Sequence, residues 1–366
     1  MSEWREDVES EFGKDVYITG FSGETISTGS FVVDHLTGIG GIPLGHISEI
    51  FGTEGCGKTT LALSVIHEAL RKKKAILYQD FETTVSDSYL TKLDINPKVL
   101  RDYRVTPETM EDGWMLIKRF CERKEHRGGI VVVDSLAAMP PEFDIKKMEE
   151  IIGQTKVGSM AQVMSIALKQ MTNILKKSGV GVIFVNQERS IIDTGYQHGA
   201  YGSKTTPGGK AIKFYSAIRL KMVMRKSVTE KVRSVVDAET RNVVVALTVG
   251  VQLIKNKFAP SYREANILIR MDEGIDNYSS AIAVGKRLGF IAEKGGYYIL
   301  DEDYSGDTLG KKKVHGNEQL REYFKSSPEV WTKFLADVKS SLKSSTGEKC
   351  DDSEREGGEA QEGIDS

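Results

Sequence analysis

Nine residues in the first sixth of the chain have the makings of an anion cradle: Gly52-Thr-Glu-Gly-Cys-Gly57-Lys58-Thr59-Thr60. They fit G-x-x-x-x-G-K-[ST] without a mismatch. An apolar run, Ile47–Phe51, precedes them, and a helical pattern, Thr59–Leu70, follows. Glycines let backbone N–H groups turn inward around phosphate oxygens. A helix starting near Lys58 points its positive dipole end at the same anion. Lys58 then neutralises β- and γ-phosphates, and the Thr59 hydroxyl ligates magnesium. The chemistry is binding of a nucleoside triphosphate, ATP with Mg²⁺. Its expected binding residues are Gly52, Thr53, Glu54, Gly55, Cys56, Gly57, Lys58, Thr59 and Thr60.

Two acids and two amides extend this pattern. Ile130-Val-Val-Val-Asp134 is a buried strand ending in a carboxylate, the form that supports magnesium. Asp80-Phe81-Glu82 closes another strand, and Glu82 is the candidate base for the water that attacks the γ-phosphate. A strand-end acid facing water is the alternative. Asn186-Gln187 ends the strand Val180–Val185. An amide there either caps the strand or touches the γ-phosphate and reports it to the following loop.

The elements that must position these groups alternate from about residue 45 to 190. The strands Ile47–Phe51, Ala75–Asp80, Ile130–Val133 and Val180–Val185 are separated by helical patterns at 59–70, 110–123 and 160–177. This alternation predicts an α/β domain with a mainly parallel sheet and its ligand beyond the strand carboxyl ends. Residues 188–209 break the pattern with five glycines and no periodicity. A long loop with Arg189, Tyr196, Tyr201 and Lys204 suits a single-stranded nucleic acid: basic side chains track phosphates, and aromatic or apolar groups stack or wedge between the bases. Strand-like runs follow at 217–224, 243–249 and 251–255. Lys255-Asn256-Lys257 presents two same-facing lysines, which are either plain surface groups or reach phosphates in another subunit. A smaller unit starts near 270, with helices at 278–288, 317–324 and 328–342. Residues 1–13 are expected to form a short helix with Trp4, Val8 and Phe12 on one face.

The chain has 366 residues and ordinary globular composition, 39% hydrophobic and 28% charged. No run of about 18 apolar residues is present, so no membrane partner is expected. The polar, acidic N-terminus makes the cytoplasm the default compartment. Three widely spaced cysteines are expected as reduced thiols. Charge is uneven along the chain. Asp351–Ser366 holds seven acids and one base, net −6, whereas Lys204–Arg233 holds nine bases and one acid. That contrast fits a polyanion-binding face with an acidic competitor; a solvated face with a solubility tail is equally open.

In this order the motifs resemble the bacterial RecA recombinase family, from about Phe12 to the acidic tail. Glu24-Thr-Ile-Ser-Thr-Gly-Ser30, Gly40-Gly-Ile-Pro-Leu-Gly45, Thr206-Pro-Gly-Gly-Lys-Ala-Ile-Lys-Phe-Tyr215 and Lys255-Asn-Lys-Phe-Ala-Pro260 carry the likeness beside the phosphate loop. The resemblance implies an α/β RecA-like P-loop ATPase core, a short N-terminal helix/strand segment, and a small α/β C-terminal domain with a disordered acidic tail. The implied boundaries are 1–30 for an oligomerisation segment, 31–269 for the core, 270–343 for the small domain and 344–366 for the tail. DNA loops are implied at about 149–157 and 188–209. The family's roles fall on Glu82, Lys58, Gln187, Lys255 and Lys257 for catalysis. Asp87 (or Ser86) and Tyr89 match the adenine contacts, and Thr59 and Asp134 the metal. Lys169, Arg189, Ile192, Tyr196, Tyr201, Lys204, Gly208, Gly209, Lys210 and Lys213 match the DNA surface. Phe214, Lys255 and Lys257 match the protomer interface, so ATP lies between subunits.

The implied activity is that of a DNA-dependent ATPase. It forms a helical homo-oligomeric filament on single-stranded DNA and carries out pairing and strand exchange with homologous duplex DNA, in recombination, repair and the damage (SOS) response. A self-cleaving repressor and single-strand-binding or mediator proteins are implied partners. A ring helicase or translocase on the same core is the alternative, and a regulatory ATPase without DNA is a third. The chain departs from the family pattern in a shorter N-terminal helix, in Gln162 and Glu188, in a longer second loop, and in an extra stretch near Ser234–Val245.

Overall fold

In the computed structural model the described residues are 23–142, 159–190, 204–233, 240–304 and 312–345. The expected helix over 1–13, the first DNA loop at 149–157, Ile192, Tyr196, Tyr201 and the acidic tail lie outside them. The chain divides into two compact units, residues 1–280 and 281–366.

The first unit opens with β1 (Thr25–Ile26), α1 (Phe31–Thr37) and β2 (Ile42–Pro43). Ser30 caps α1, its hydroxyl accepting from the Val33 N–H. Then come β3 (Ile47–Gly52), α2 (Lys58–Arg71), β4 (Ile76–Asp80), α3 (Asp87–Lys92), α4 (Pro97–Arg101), β5 (Arg104–Val105), α5 (Met110–Glu122) and β6 (Ile130–Asp134). Asn96 with Pro97 starts α4, and Thr109 starts α5 by accepting from Asp112 N–H at 3.0 Å. Next are α6 (Ser159–Ser178), β7 (Gly181–Gln187), β8 (Arg189–Ser190), β9 (Lys204–Thr205), α7 (Gly209–Tyr215), β10 (Ile218–Arg233), β11 (Thr240–Asn256), β12 (Arg263–Arg270) and β13 (Gly274–Ile275).

Nine strands form one sheet in the order β13-β12-β11-β10-β3-β7-β6-β4-β5. From β10 to β5 every pairing is parallel; from β10 to β13 every pairing is antiparallel. β3, β4 and β6 are buried along their whole length, as strands covered on both faces must be. One core cluster packs α2 against the sheet through Leu61, Val65, Ile66, Ile50 and Val249. The other packs α5 and α6 on the opposite face through Ile117, Phe120, Leu168, Met171, Val133 and Phe184.

Two differences from the sequence reading have physical causes. The runs 243–249 and 251–255 are one strand, and Gly250 does not break it. The Arg225–Glu264 ion pair crosses that position, where a Cβ would lie 2.6 Å from Arg225 Nε. The 188–209 stretch is also not wholly irregular. Arg189↔Thr205 and Ser190↔Lys204 pair as a short antiparallel ladder at its base.

The second unit contains most of α8 (Asn277–Arg287), then β14 (Ile291–Lys294), β15 (Tyr297–Leu300), β16 (Lys312–His315), α9 (Gly316–Ser326) and α10 (Pro328–Ser345). Its three-stranded antiparallel sheet joins an aromatic core in which Phe324 stacks on Phe334 at 4.7 Å. No helix among the described residues is long and apolar enough to cross a membrane.

Candidate functional site

The carboxyl ends of β3, β7, β6 and β4 meet at one cleft of about 290 Å³. Gly52 ends β3 under close approach: a Cβ there would sit 2.1 Å from Met222 O of β10. Gly57 holds φ +81° at the start of α2, and a Cβ there would lie 2.4 Å from Ile269 Cδ1. These two glycines give the loop its shape. Lys58 is 8% exposed, and its Nζ donates to Thr53 O at 2.7 Å. Cys56 Sγ donates to the same carbonyl at 2.9 Å, and burial pushes its thiol pKa up.

Asp134 stands at the end of β6, 3% exposed. Burial pushes its carboxyl up to about 6, with Glu82 and Asp80 adding repulsion and the Thr59 hydroxyl bond opposing them. Its Oδ1 has no hydrogen-bond partner. A buried carboxylate oxygen without a donor beside a threonine hydroxyl fits a cation. Magnesium fits best, because it takes one or two carboxylates and fills its shell from water and phosphate. Among the described residues no group of three or more His, Cys, Asp or Glu is arranged to hold a metal ion by itself.

Glu82 lies between β6 and β7. Its Oε1 accepts from Ser135 Oγ at 2.5 Å and from Gln187 Nε2 at 3.2 Å. The turn that carries it is clamped at both ends by Arg104, which pairs with Asp80 and donates to Val85 O at 3.0 Å. Asn186 and Gln187 face opposite ways, as strand alternation requires. Gln187 lines the cleft. Asn186 is fully buried and donates to Glu49 Oε1 and to Pro207 O, both at 3.0 Å. Glu49 in turn accepts from Arg219 Nε at 2.5 Å.

Tyr89 also lines the cleft, its hydroxyl 2.6 Å from Thr60 Oγ1. Ser86 caps α3, accepting from Tyr89 N–H at 3.2 Å; Asp87, the first residue of the helix, pairs with Arg101 at 3.1 Å and is not among the cleft-lining residues. The structure therefore brings Gly52–Thr60, Glu82, Tyr89, Asp134 and Gln187 together. It does not bring Lys255 or Lys257 to this cleft. Lys255 is held at the far edge, its Nζ donating to Lys213 O and Phe214 O at 2.7 and 2.8 Å. Burial, then Lys257 and Arg219, lower its pKa. Lys257 lies beside it, its N–H bonded to Ala217 O. Phe214 is 72% exposed on the same edge.

Of the candidate DNA residues, Lys169 and Lys210 are exposed and Lys213 is half-buried. Gly208 adopts φ +87° ahead of α7, with Gly209 as its first residue. Arg189 and Lys204 lie on the β8–β9 ladder. One wall of the cleft went unread in the sequence: Leu247, Ile269, Arg270 and Met271. They belong to β11, β12 and the residue after it, where alternation looks like any half-buried strand. Only the placement of those strands beyond β3 and β10 brings them to the phosphate loop.

The family model described as RecA N-terminal domain matches residues 4–276. A Protein RecA from Wolbachia sp. subsp. Brugia malayi (strain TRS) is 35% identical over 321 residues, 87% of this chain and 82% of that protein. One from Aquifex aeolicus (strain VF5) is 34% identical over 333 residues, 89% of this chain and 88% of that protein. A solved chain described as the RadB recombinase gives a TM-score of 0.47 at 21% identity, covering 69% of this chain and 98% of that one. With a family model spanning most of its length and relatives of this identity matched almost end to end, the chain belongs to the RecA family.

Proposed function

We propose that this protein is an ATP-dependent DNA recombinase that assembles a helical filament on single-stranded DNA and carries out homologous pairing and strand exchange. The observation that carries the reading is the Gln187–Glu82 contact. It ties the candidate base of ATP hydrolysis to a residue that directly precedes the base of the Gly-rich 188–209 segment.

ATP is the substrate. Its phosphates take the backbone N–H groups of residues 53–58, and Lys58 exchanges the Thr53 carbonyl for phosphate oxygens. Thr59 and Asp134 would hold magnesium, which neutralises charge on the β- and γ-phosphates when bound. Ser135 holds Glu82 in place, and Glu82 takes a proton from the attacking water. Gln187 exchanges Glu82 for the γ-phosphate, and this exchange moves the β8–β9 ladder and the nucleic-acid loop with it. Lys255 and Lys257 lie on the opposite edge from the cleft, so a head-to-tail neighbour supplies them. Lys169, Lys210 and Lys213 contribute phosphate contacts. Stimulated self-cleavage of a repressor and mediator binding belong to the same reading and rest on the family alone.

Electron microscopy with single-stranded DNA and a non-hydrolysable ATP analogue tests this. Helical filaments that require the analogue are expected. Closed rings point to the helicase reading instead. A Gln187→Ala variant that hydrolyses ATP with the same DNA stimulation as the parent refutes the coupling.

A further inference from the structure

The strand pair β10–β11 outruns its sheet. β3 pairs with β10 only over Ile218–Met222, and β12 pairs with β11 only as far as Ala246. Beyond those points the two strands pair with each other alone, out to Arg233↔Thr240. Residues 226–233 and 240–245 thus make a two-stranded arm. It begins where Leu247, paired with Ile269, walls the nucleotide cleft. From Leu247 to Thr240 it reaches about 23 Å past that wall, at about 3.3 Å per residue. Among the described residues the outer edges of both arm strands pair with no further strand. A lone two-stranded ribbon is marginal in water, and open edges are templates for a partner.

Its surface favours a protein partner over a polyanion. Met224 at the root is 51% exposed, and Val243 and Val244 are 45% and 40% exposed. Adjacent strand residues face opposite ways, so the arm carries an exposed valine on each face. The two arm strands hold four bases and one acid, and residues 234–239 between them add two acids, so the whole stretch is only net +1 and leaves little attraction for phosphates. The other end of the same strand pair is apolar too. Tyr262, held by its N–H to Leu253 O at 2.7 Å, is 86% exposed, and Phe214 is 72% exposed. Two unlike apolar surfaces at opposite ends of one molecule join head to tail, and such contacts propagate.

We propose that the arm docks on the Lys255 edge of the next copy of this chain and so helps close that copy's lysines over the nucleotide cleft; this rests on the shared-cleft reading above. The arm then acts as an assembly clasp beside the ATP, in addition to the lysines themselves.

The test uses two full-length variants. One is Val243→Asp with Val244→Asp. The other replaces residues 229–245 with Asn-Gly, a two-residue turn joining the Val228↔Ala246 pair. Self-assembly is followed by light scattering against protein concentration, with single-stranded DNA and a non-hydrolysable ATP analogue. Binding of a fluorescent ATP analogue is measured without DNA. Both variants should bind the nucleotide as the parent does and need at least about tenfold more protein to assemble, the equivalent of about 1.4 kcal/mol per contact. Parent-like assembly by both variants overturns the proposal. So does unchanged assembly with weakened, more salt-sensitive DNA binding, which would make the arm a nucleic-acid contact. A parent chain that never self-associates refutes the shared cleft itself, a distinct result.

Discussion

Asp134→Asn should make the metal-free protein more stable while destroying its activity. In the fold the Asp134 carboxyl is pushed up to about 6 from 3.8. A shift of about two units is worth about 3 kcal/mol between the charged and neutral forms. The folded pKa is raised, so the fold prefers the protonated acid. The penalty on the native state is therefore absent below about pH 4, grows as pH rises, and is complete above about pH 6. Asparagine carries no charge and escapes it. At pH 8, in chelator, the variant should gain about 3 kcal/mol, and at pH 5 about half of that. For a unit of this size the gain corresponds to roughly 6–12 °C in Tm at pH 8. Differential scanning fluorimetry at the two pH values measures it. Magnesium with ATP should raise the parent's Tm by more than the variant's, which keeps only the phosphate contacts of the loop and Lys58. A variant no more stable than the parent at pH 8, or a gain of equal size at both pH values, refutes the reasoning.

Glu82→Gln keeps an acceptor for Ser135 and Gln187 and loses the base. ATP binding should persist while kcat falls about 10²–10⁴-fold, read by a phosphate-release assay; a fall in affinity instead would assign Glu82 to binding. Lys255→Ala and Lys58→Ala should each abolish hydrolysis, yet a 1:1 mixture should regain about a quarter of parental activity at interfaces that pair one intact loop with one intact lysine edge. Failure of every mixture to recover argues against a shared cleft. Arg219→Ala leaves the fully buried Glu49 carboxylate without its cation and should cost about 3–5 kcal/mol in denaturant unfolding, while Glu49→Met with Arg219→Met should recover much of it. Equal losses for the single and double variants would remove the ion pair as the cause.

The phosphate loop was legible because its chemistry is local. Its glycines, lysine and threonine are contiguous, and the flanking strand and helix have clear periodicity. Asp134, Glu82 and Gln187 were legible as strand-end residues because a parallel sheet gathers such ends on one side. The antiparallel wall was not. Leu247 and Ile269 are apolar strand residues like many others here, and only non-local pairing makes them cleft residues. The Asn186–Glu49–Arg219 network was also hidden, since buried polar partners far apart in sequence leave no spacing signal. Asp87, matched to the adenine contact only by resemblance, forms an exposed ion pair with Arg101 of α4, a pairing that no sequence spacing signals.

The strand β11 has a mechanical consequence. It carries the cleft wall at Leu247 and the far-edge lysine at Lys255 on one continuous backbone. Eight residues of β-strand fix that separation at about 26 Å, and a hydrogen-bonded strand does not stretch. On the proposed shared-cleft reading, each subunit would be a ruler of set length between the site it offers and the lysines it lends. In the proposed stack, any change in axial repeat would then come from rotation and slip at the joints and none of it from within the ruler.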